Sequence, residues 1–576
     1  MKVLLTAVNA KYIHSNLAVY DLRAYAEAYG TGGAQVEIGE YTINHTIDYI
    51  LEGIYKAKPD VLCFSCYIWN LDYVEQLMDE YHKICPEVPI WVGGPEVSYE
   101  TEAFLKAHPQ VTGAMVGEGE ETFLELCENY AKAGAGAKAG KADFPGIKGI
   151  MYRAGESLVK TGAREPLDLN RIPFCYGGVE DFRNRIIYYE SSRGCPFRCS
   201  YCLSSVEKTL RFRDVERVKK ELAFFLEQEV AQVKFVDRTF NCRHEHAMEI
   251  WKFLIEHDNG VTNFHFEISA DLLTDEEIAL IGQMRPGLIQ LEIGVQSTND
   301  ATITEIHRTM QLDRLKAVVR SIQEKENIHE HLDLIAGLPY EGYETFARSF
   351  DEIYALKPNQ LQLGFLKVLK GSYMYEHATE YGLIYRSRPP YEVLKTNWLG
   401  FGEILRIRQV EEMLEVYYNS GQYATAIRLL ETQYASAFAM FAELGTFYEE
   451  HGYFGMGHSR MRRAEILLEF AKERRPGVLP VLGEGLVYDL YERENLGSRP
   501  AWAADANEWK QMTRQYGKNG KQSHIERFFY RFSGHRQDTA SLPERLEDPV
   551  YVRFDYTRRD PLDHQAQHEY LEYSGE

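Results

Sequence analysis

The stretch Gly194-Cys195-Pro196-Phe197-Arg198-Cys199-Ser200-Tyr201-Cys202 constrains this chain more than any other. It follows directly on a strand-like run at 186–191. Three thiolates this close in sequence can wrap one compact metal centre if the loop folds back tightly at the strand end. Gly and Pro permit such a turn and let backbone amides point inward. Thiolate sets suit zinc or iron–sulfur clusters. A structural zinc wants four protein ligands, and no fourth Cys or His stands close by in sequence. A [4Fe–4S] cluster held by three Cys leaves one iron open to a small molecule. Zinc, or three unrelated buried thiols, is the plainer alternative.

The surroundings of the loop are a strand–helix series. Strand-like runs at 186–191, 232–237, 264–268, 289–294, 332–337 and 361–365 have helical stretches between them, such as 215–229, 246–256 and 312–325. That alternation implies a parallel sheet, and six units fall short of a closed eight-fold barrel. Residues before about 126 alternate in the same way, with runs at 3–8, 61–65, 90–92 and 112–116 and helical periodicity at 17–29 and 71–84. Turn residues cluster after two of these runs, in Gly93-Gly94-Pro95 and Gly117-Glu118-Gly119-Glu120. Ligands of doubly wound sheets bind at such carboxyl ends. Residues 131–146 are low in complexity and read as a linker. After about 375 the pattern turns helical, with Ile404, Ile407, Val410, Leu414 and Tyr417 on one face and a single late strand at 550–554. The expected fold is α/β: a Rossmann-like doubly wound domain at 1–130, a linker region at 131–180, a (β/α)6 partial TIM barrel at 181–375, and a mostly α-helical domain at 376–576.

Composition narrows the partners. Among 576 residues the net charge is −22, which argues against bare nucleic acid as a partner. No apolar run reaches the ~18 residues of a membrane span, and the apolar start at 3–8 is shorter than the ~7–15 residues of a signal-peptide core. Nine Cys without an export signal suit a reducing cytosol, so a cytoplasmic protein is expected. Cys63, Cys66, Cys85, Cys127, Cys175 and Cys242 read as structural thiols.

The spacing Cys-x3-Cys-x2-Cys, with an aromatic residue before the last Cys, resembles the signature of the radical S-adenosylmethionine (SAM) superfamily. There too it opens a β/α partial barrel. The resemblance implies that Cys195, Cys199 and Cys202 hold a [4Fe–4S] cluster whose open iron is chelated by SAM. One-electron reduction then yields a 5′-deoxyadenosyl radical. It also implies that Tyr201 lies near the adenine and that Asp237, in Phe235-Val236-Asp237-Arg238-Thr239-Phe240-Asn241, stands where the SAM amino group is contacted. Glu267 and Ser269 fall where ribose and carboxylate contacts lie. Gly294 and Gln296, in Glu292-Ile293-Gly294-Val295-Gln296-Ser297, and Gly337, in Asp333-Leu334-Ile335-Ala336-Gly337-Leu338-Pro339, end the next two strands and belong to the same SAM site. The plainer account of Glu267, Glu292 and Asp333 is polar residues satisfied inside the barrel.

The front domain resembles the cobalamin-binding domain of B12-dependent radical SAM proteins. Gly93, Gly94, Pro95, Gly117, Glu118 and Gly119 carry that likeness. With them, Asn9, Tyr12 and Ser65 are the implied cobalamin contacts. The Asp-x-His-x-x-Gly motif of methionine-synthase-type domains is absent, and the loop reads Asn9-Ala10-Lys11-Tyr12-Ile13-His14-Ser15-Asn16. A polar-loop His is more often solvated than metal-bound, so no histidine is expected beneath the cobalt. Front domain, barrel and helical tail together resemble a bacterial family whose tail has no assigned role. The likeness implies a cobalamin-dependent radical SAM enzyme, with methyl transfer to an unreactive carbon as the leading reaction. A radical rearrangement or cyclisation is the alternative, and a non-catalytic redox or cobalamin sensor is the reading from another class. Expected partners are a small-molecule or peptide substrate and an electron donor such as flavodoxin or ferredoxin.

Overall fold

The computed structural model describes residues 1–133, 144, 146–179, 182–517, 522–532 and 541–571, with only the backbone of Glu508. The chain divides into two compact units. One comprises Met1–Ile289, Thr304–Met310 and Leu366–Thr396; the other comprises Gln290–Ile303, Gln311–Phe365 and Asn397–Glu576.

The first unit opens with a seven-stranded sheet. Its strands are β1 (Lys2–Asn9), β2 (Gln35–Thr42), β3 (Val61–Ser65), β4 (Ile90–Gly93), β5 (Gly113–Met115), β6 (Ile150–Ala154) and β7 (Ser157–Lys160), in the order β2-β1-β3-β4-β5-β6-β7. The first five are parallel and the last two antiparallel. Helices Leu17–Tyr29 and Glu120–Ala133 pack together, as do Ile47–Ala57 and Leu71–Ile84. Alternation along the strands serves both faces. Leu62, Phe64, Ile90 and Val92 join one core with Ile50, Val74 and Leu77, while Trp91, one residue out of phase, meets Phe144 edge-on. The stretch read as a linker therefore supplies β6 and β7; within it, 134–143, 145 and 180 lie outside the described residues.

The same unit continues with β8 (Ile187–Tyr189), β9 (Ser192–Arg193), β10 (Arg211–Phe212), β11 (Gln232–Phe235) and β12 (Asn263–Ile268). β11 lies between β8 and β12, parallel to both. Asp214 caps the following helix, Val215–Glu227, by accepting from the amides of Glu216 and Arg217. β9 and β10 form a short antiparallel ladder that pairs Arg193 with Arg211 and closes the cysteine loop at its base.

In the second unit β13 (Ile289–Gln296, from Gln290 on), β14 (His329–Ala336) and β15 (Gln360–Phe365) run parallel, with β14 central and a register shift between Gly294 and Gln296. Strict burial alternation along β13 and β14 marks one face turned to a core and the other to a partly open interior. Counting β8 and β11–β15, the chain carries six strand–helix repeats, a (β/α)6 partial-barrel series. Between them and the tail, β16 (Ile384–Tyr385) and β17 (Val393–Lys395) form a small hairpin of the first unit.

The tail is mostly helical, through Phe401–Leu414, Ala424–Glu431, Ala437–Glu450, Arg460–Arg474 and Leu479–Arg493. It ends in a three-stranded antiparallel sheet of β18 (Ser523–Phe528), β19 (Val550–Arg559) and β20 (Ala566–Leu571). The single late strand expected from the sequence is the middle member of this sheet.

Candidate active site

The cysteine loop starts from a strained turn. Gly194 has φ +99°, and a Cβ there would lie 2.6 Å from the Thr209 carbonyl oxygen. Cys199 is buried, while Cys195 and Cys202 are partly open. Ser200 donates its amide to the Ile306 carbonyl and accepts from the Met374 amide, which fixes the loop's middle. Around one zinc, with Zn–S near 2.3 Å, thiolates lie about 3.8 Å apart. The three sulfurs here are not gathered within 4.8 Å of one another. Three free thiols on one short loop are a donor set that suits a [4Fe–4S] cluster with one iron left open.

Arg308 is a site residue the sequence did not signal. Its Nη1 lies 3.8 Å from Cys199 Sγ and donates to the Tyr201 hydroxyl at 3.3 Å. The neighbouring Tyr201 and Cys199 raise its pKa against the opposing effect of burial, so a fixed cation stands beside the thiolates. Tyr201 thus has its hydroxyl held, and burial and the nearby thiols push its ionisation well above the ordinary phenol range.

Asp237 sits in a buried hydrogen-bond cluster. It is 1% exposed and accepts from the Ser191 amide (2.8 Å), the Ser191 hydroxyl and the Ser192 hydroxyl (2.9 Å). His246 Nε2 lies 3.1 Å from the same Ser191 hydroxyl. Burial raises Asp237 to about 6 against these hydrogen bonds. Its carboxylate braces the strand that leads into the cysteine loop instead of reaching toward a ligand. Ser269 is likewise engaged: its hydroxyl donates to Asp271 and its backbone pairs with the Asn241 side chain. Glu267 lies half-buried at the end of β12.

The Glu118 carboxylate is bound by the chain's own donors. Arg193 donates to Glu118 Oε1 at 3.0 Å, to Glu120 at 2.8 Å and twice to Glu190. Arg211 grips both oxygens of Glu118, at 2.6 and 3.0 Å. The Leu167 amide donates to Glu118 Oε2 at 2.8 Å. Together these donors outweigh burial and pull Glu118 down to about 2. This carboxylate links the loop after β5 to both strands at the base of the cysteine loop, and it has no lone pair left to offer a cofactor.

The other residues of the front sheet gather at its carboxyl edge. Gly94 has φ +112°, and a Cβ would meet the Cys66 carbonyl oxygen at 2.5 Å, so only glycine fits. Gly117, at φ +83°, faces open space and donates its amide to Ser98 Oγ. Gly93 ends β4, Pro95 begins the short helix after it, and Gly119 abuts Leu22. Ser65 accepts from Asn16, and Asn9 donates to Glu40 and to the His14 carbonyl. Tyr12 is 60% exposed beneath the Arg185 guanidinium. His14 Nδ1 is hydrogen-bonded to the Tyr188 hydroxyl at 2.7 Å, and burial lowers its pKa. Trp69, 42% exposed, stacks on Tyr67 at 4.5 Å, with its Nε1 donating to the Val8 carbonyl. That flat exposed face beside Ser65 also went unread in the sequence.

In the second unit Gln296 sits at φ +74°, a rare conformation for a non-glycine residue. Its Oε1 is buried and, among the described residues, lacks a hydrogen-bond partner. A left-handed backbone and an unsatisfied acceptor thus coincide at this residue. Gly294 faces Asp333 across the ladder, and Gly337 follows β14 at φ +92°. Donor atoms of Glu292, His331 and Asp333 lie within 4.8 Å of one another, with His331 Nε2 3.0 Å from Asp333.

Family models match three consecutive regions: a B12-binding domain at residues 3–127, the radical SAM superfamily at 189–353, and a family of unknown function, DUF4080, at 379–542. The cobalamin-dependent radical SAM methyltransferase TokK of Streptomyces tokunonensis is 28% identical over 56% of this chain and 49% of its own. The anaerobic magnesium-protoporphyrin IX monomethyl ester cyclase of Rubrivivax gelatinosus is 23% identical over 57% of this chain and 60% of its own. The chain thus spans about half the length of TokK. Among solved structures, the cobalamin-dependent SAM radical enzyme OxsB aligns over 85% of this chain and 79% of its own, with TM-score 0.57 and 15% identity. The radical SAM methyltransferase TsrM of Kitasatospora setae aligns over 67% and 79%, with TM-score 0.54 and 16% identity. Those likenesses establish a shared fold. With its three regions each matched in order, the chain is a radical SAM protein bearing an amino-terminal B12-binding domain and a carboxyl-terminal domain of the DUF4080 family.

Proposed function

We propose that this protein is a cobalamin-dependent radical SAM methyltransferase acting on an unreactive carbon of a small-molecule or peptide substrate. The observation that carries the reading is the clamp of Arg193 and Arg211 on Glu118. It fastens the loop bearing the three thiols to the strand-end loop of the B12-binding domain. One short segment thereby borders both cofactor sites, as chemistry shared between them requires and as a sensor has no need of.

Cys195, Cys199 and Cys202 would hold a [4Fe–4S] cluster, whose bound SAM supplies a carbon-centred radical when an electron arrives from a donor such as flavodoxin or ferredoxin. Arg308 keeps positive charge against Cys199 and orients Tyr201 beside the adenine. In this reading Gln296 would offer its unsatisfied Oε1 to SAM, and Glu267, Ser269, Gly294 and Gly337 would be further SAM contacts. Asn9, Tyr12, Ser65, Gly93, Gly94, Pro95, Gly117 and Gly119 would border cobalamin. The Trp69–Tyr67 stack would add a planar apolar face. His14, in a polar loop and hydrogen-bonded through Nδ1 to Tyr188, is not assigned to cobalt in this reading. The setting would be the cytoplasm; among the described residues no helix is long and apolar enough to cross a membrane.

The test needs no substrate. Protein purified without oxygen should carry about four iron per chain and cobalt, and should form 5′-deoxyadenosine from SAM and reductant. SAM labelled in its methyl group should leave that label on the corrinoid extracted afterwards. Label absent from the corrinoid, with 5′-deoxyadenosine still formed, would favour rearrangement or cyclisation. Neither product would favour a sensor.

A further inference from the structure

The tail holds a cavity of about 470 Å³, a size that encloses small organic molecules. Its wall comes from helices Arg460–Arg474 and Leu479–Arg493 and from the end of β18, all within the second unit and inside the DUF4080 match. Leu468, Val487, Trp502 and Phe529 make it predominantly apolar.

The charged groups around it do not cancel. Glu469 is held by both terminal nitrogens of Arg462 and by Tyr453. Glu484 accepts from the Phe529 amide, and burial raises its pKa. Arg499 is neutralised by the buried Glu526. Arg527 lies flat over the rings of Trp509 (4.8 Å) and Phe529 (5.3 Å). Lys472 has no acidic partner among the described residues. An apolar cavity with the exposed Lys472 at its rim, Glu469 held by Arg462 and Glu484 by a backbone amide, favours a molecule that is apolar at one end and anionic at the other.

We infer that the DUF4080 domain binds a small amphipathic carboxylate in this cavity. The inference is independent of the methyl-transfer reading, since no lining residue belongs to the strand ends or to the cysteine loop. Gly483 provides a clean block. It lies inside a helix, and a Cβ there would meet nothing nearer than Leu468 Cδ2 at 4.0 Å, so Gly483→Leu fills the space without a backbone clash and improves helix propensity.

The experiment is calorimetric titration of the cofactor-loaded protein with three matched probes: 4-phenylbutanoate, 4-phenylbutan-1-ol and 4-phenylbutan-1-amine. The acid should bind at one site per chain, most tightly of the three. Lys472→Gln should weaken the acid about twofold to fivefold and leave the alcohol unchanged. Gly483→Leu should abolish binding while leaving the thermal unfolding midpoint at or above its starting value. No heat from the acid, equal affinity for acid and amine, or binding that survives Gly483→Leu would each overturn the inference.

Discussion

Arg193 Nη1 lies 3.0 Å from Glu118 Oε1, which ties the residue just before Gly194 to the glycine-rich loop that follows β5. The guanidinium serves three carboxylates at once and is only about one-fifth exposed, so the bonds are partly shielded from water. Removing the one guanidinium that bonds Glu118, Glu120 and Glu190 together leaves like charges facing one another. Arg193→Met should cost about 3 kcal/mol in unfolding free energy and should lower iron and cobalt content together. Arg193→Lys, one point charge in place of a fork, should recover part of both. Loss of iron alone, measured by metal analysis of protein made without oxygen, would contradict the shared role.

The three thiols and Arg308 make a separate forecast. Replacing Cys195, Cys199 or Cys202 by Ala should abolish cluster absorbance. Cys242, whose pKa is raised by burial and further by Cys195, is read as a structural thiol; Cys242→Ser should leave the cluster intact. Arg308→Met removes the fixed cation near Cys199 and should lower the cluster's reduction potential, read by anaerobic redox titration with EPR detection. An unchanged potential would mean that the charge is not felt by the iron.

Two glycines separate space from backbone strain. At Gly94 both operate, because φ is +112° and the Cys66 carbonyl stands in the way. At Gly117 only the torsion does, since a Cβ meets nothing. Gly117→Ala should cost about 1 kcal/mol and Gly94→Ala about 3 kcal/mol. Chemical denaturation checks the order of the two.

Glu341 predicts a pH dependence. Its Oε1 accepts from Ser297 and Ser349, and burial raises its pKa from 4.5 to about 7. The folded state therefore holds the proton more tightly than the unfolded chain. The stabilisation is complete below about pH 4.5 and is lost as pH rises through 7, by at most about 3 kcal/mol. Glu341→Gln keeps an acceptor for both hydroxyls and cannot ionise, so it should flatten that slope and be the more stable protein above pH 7. Parallel slopes for the two proteins between pH 5 and 8 would refute this.

Much of the fold was legible because its signals are local. Apolar runs at strand spacing located β1, β3, β4 and the six barrel strands, and periodicity placed Leu17–Tyr29 and Leu71–Ile84 at their observed bounds. β2, QVEIGEYT, escaped because it lies at the sheet edge, with most of its residues only partly covered. β18 escaped because His524, Glu526 and Arg527 break its apolar pattern, and its pairing with β19 is what makes it a strand. In the site, cysteine spacing was visible and charge partners were not. Arg308 stands 109 positions from Cys199, and the arginines that claim Glu118 are 75 and 93 positions away. A glutamate between glycines looks like a ligand contact until the fold delivers its counterions.

The two-residue ladder of Arg193 with Arg211 and Ser192 with Phe212 has a bearing on assembly. It zips the neck of the iron-bearing loop with protein bonds alone, so the cost of bringing the loop's ends together is met before any metal enters. Inorganic repair after oxygen damage then starts from a loop whose two ends the chain itself holds together.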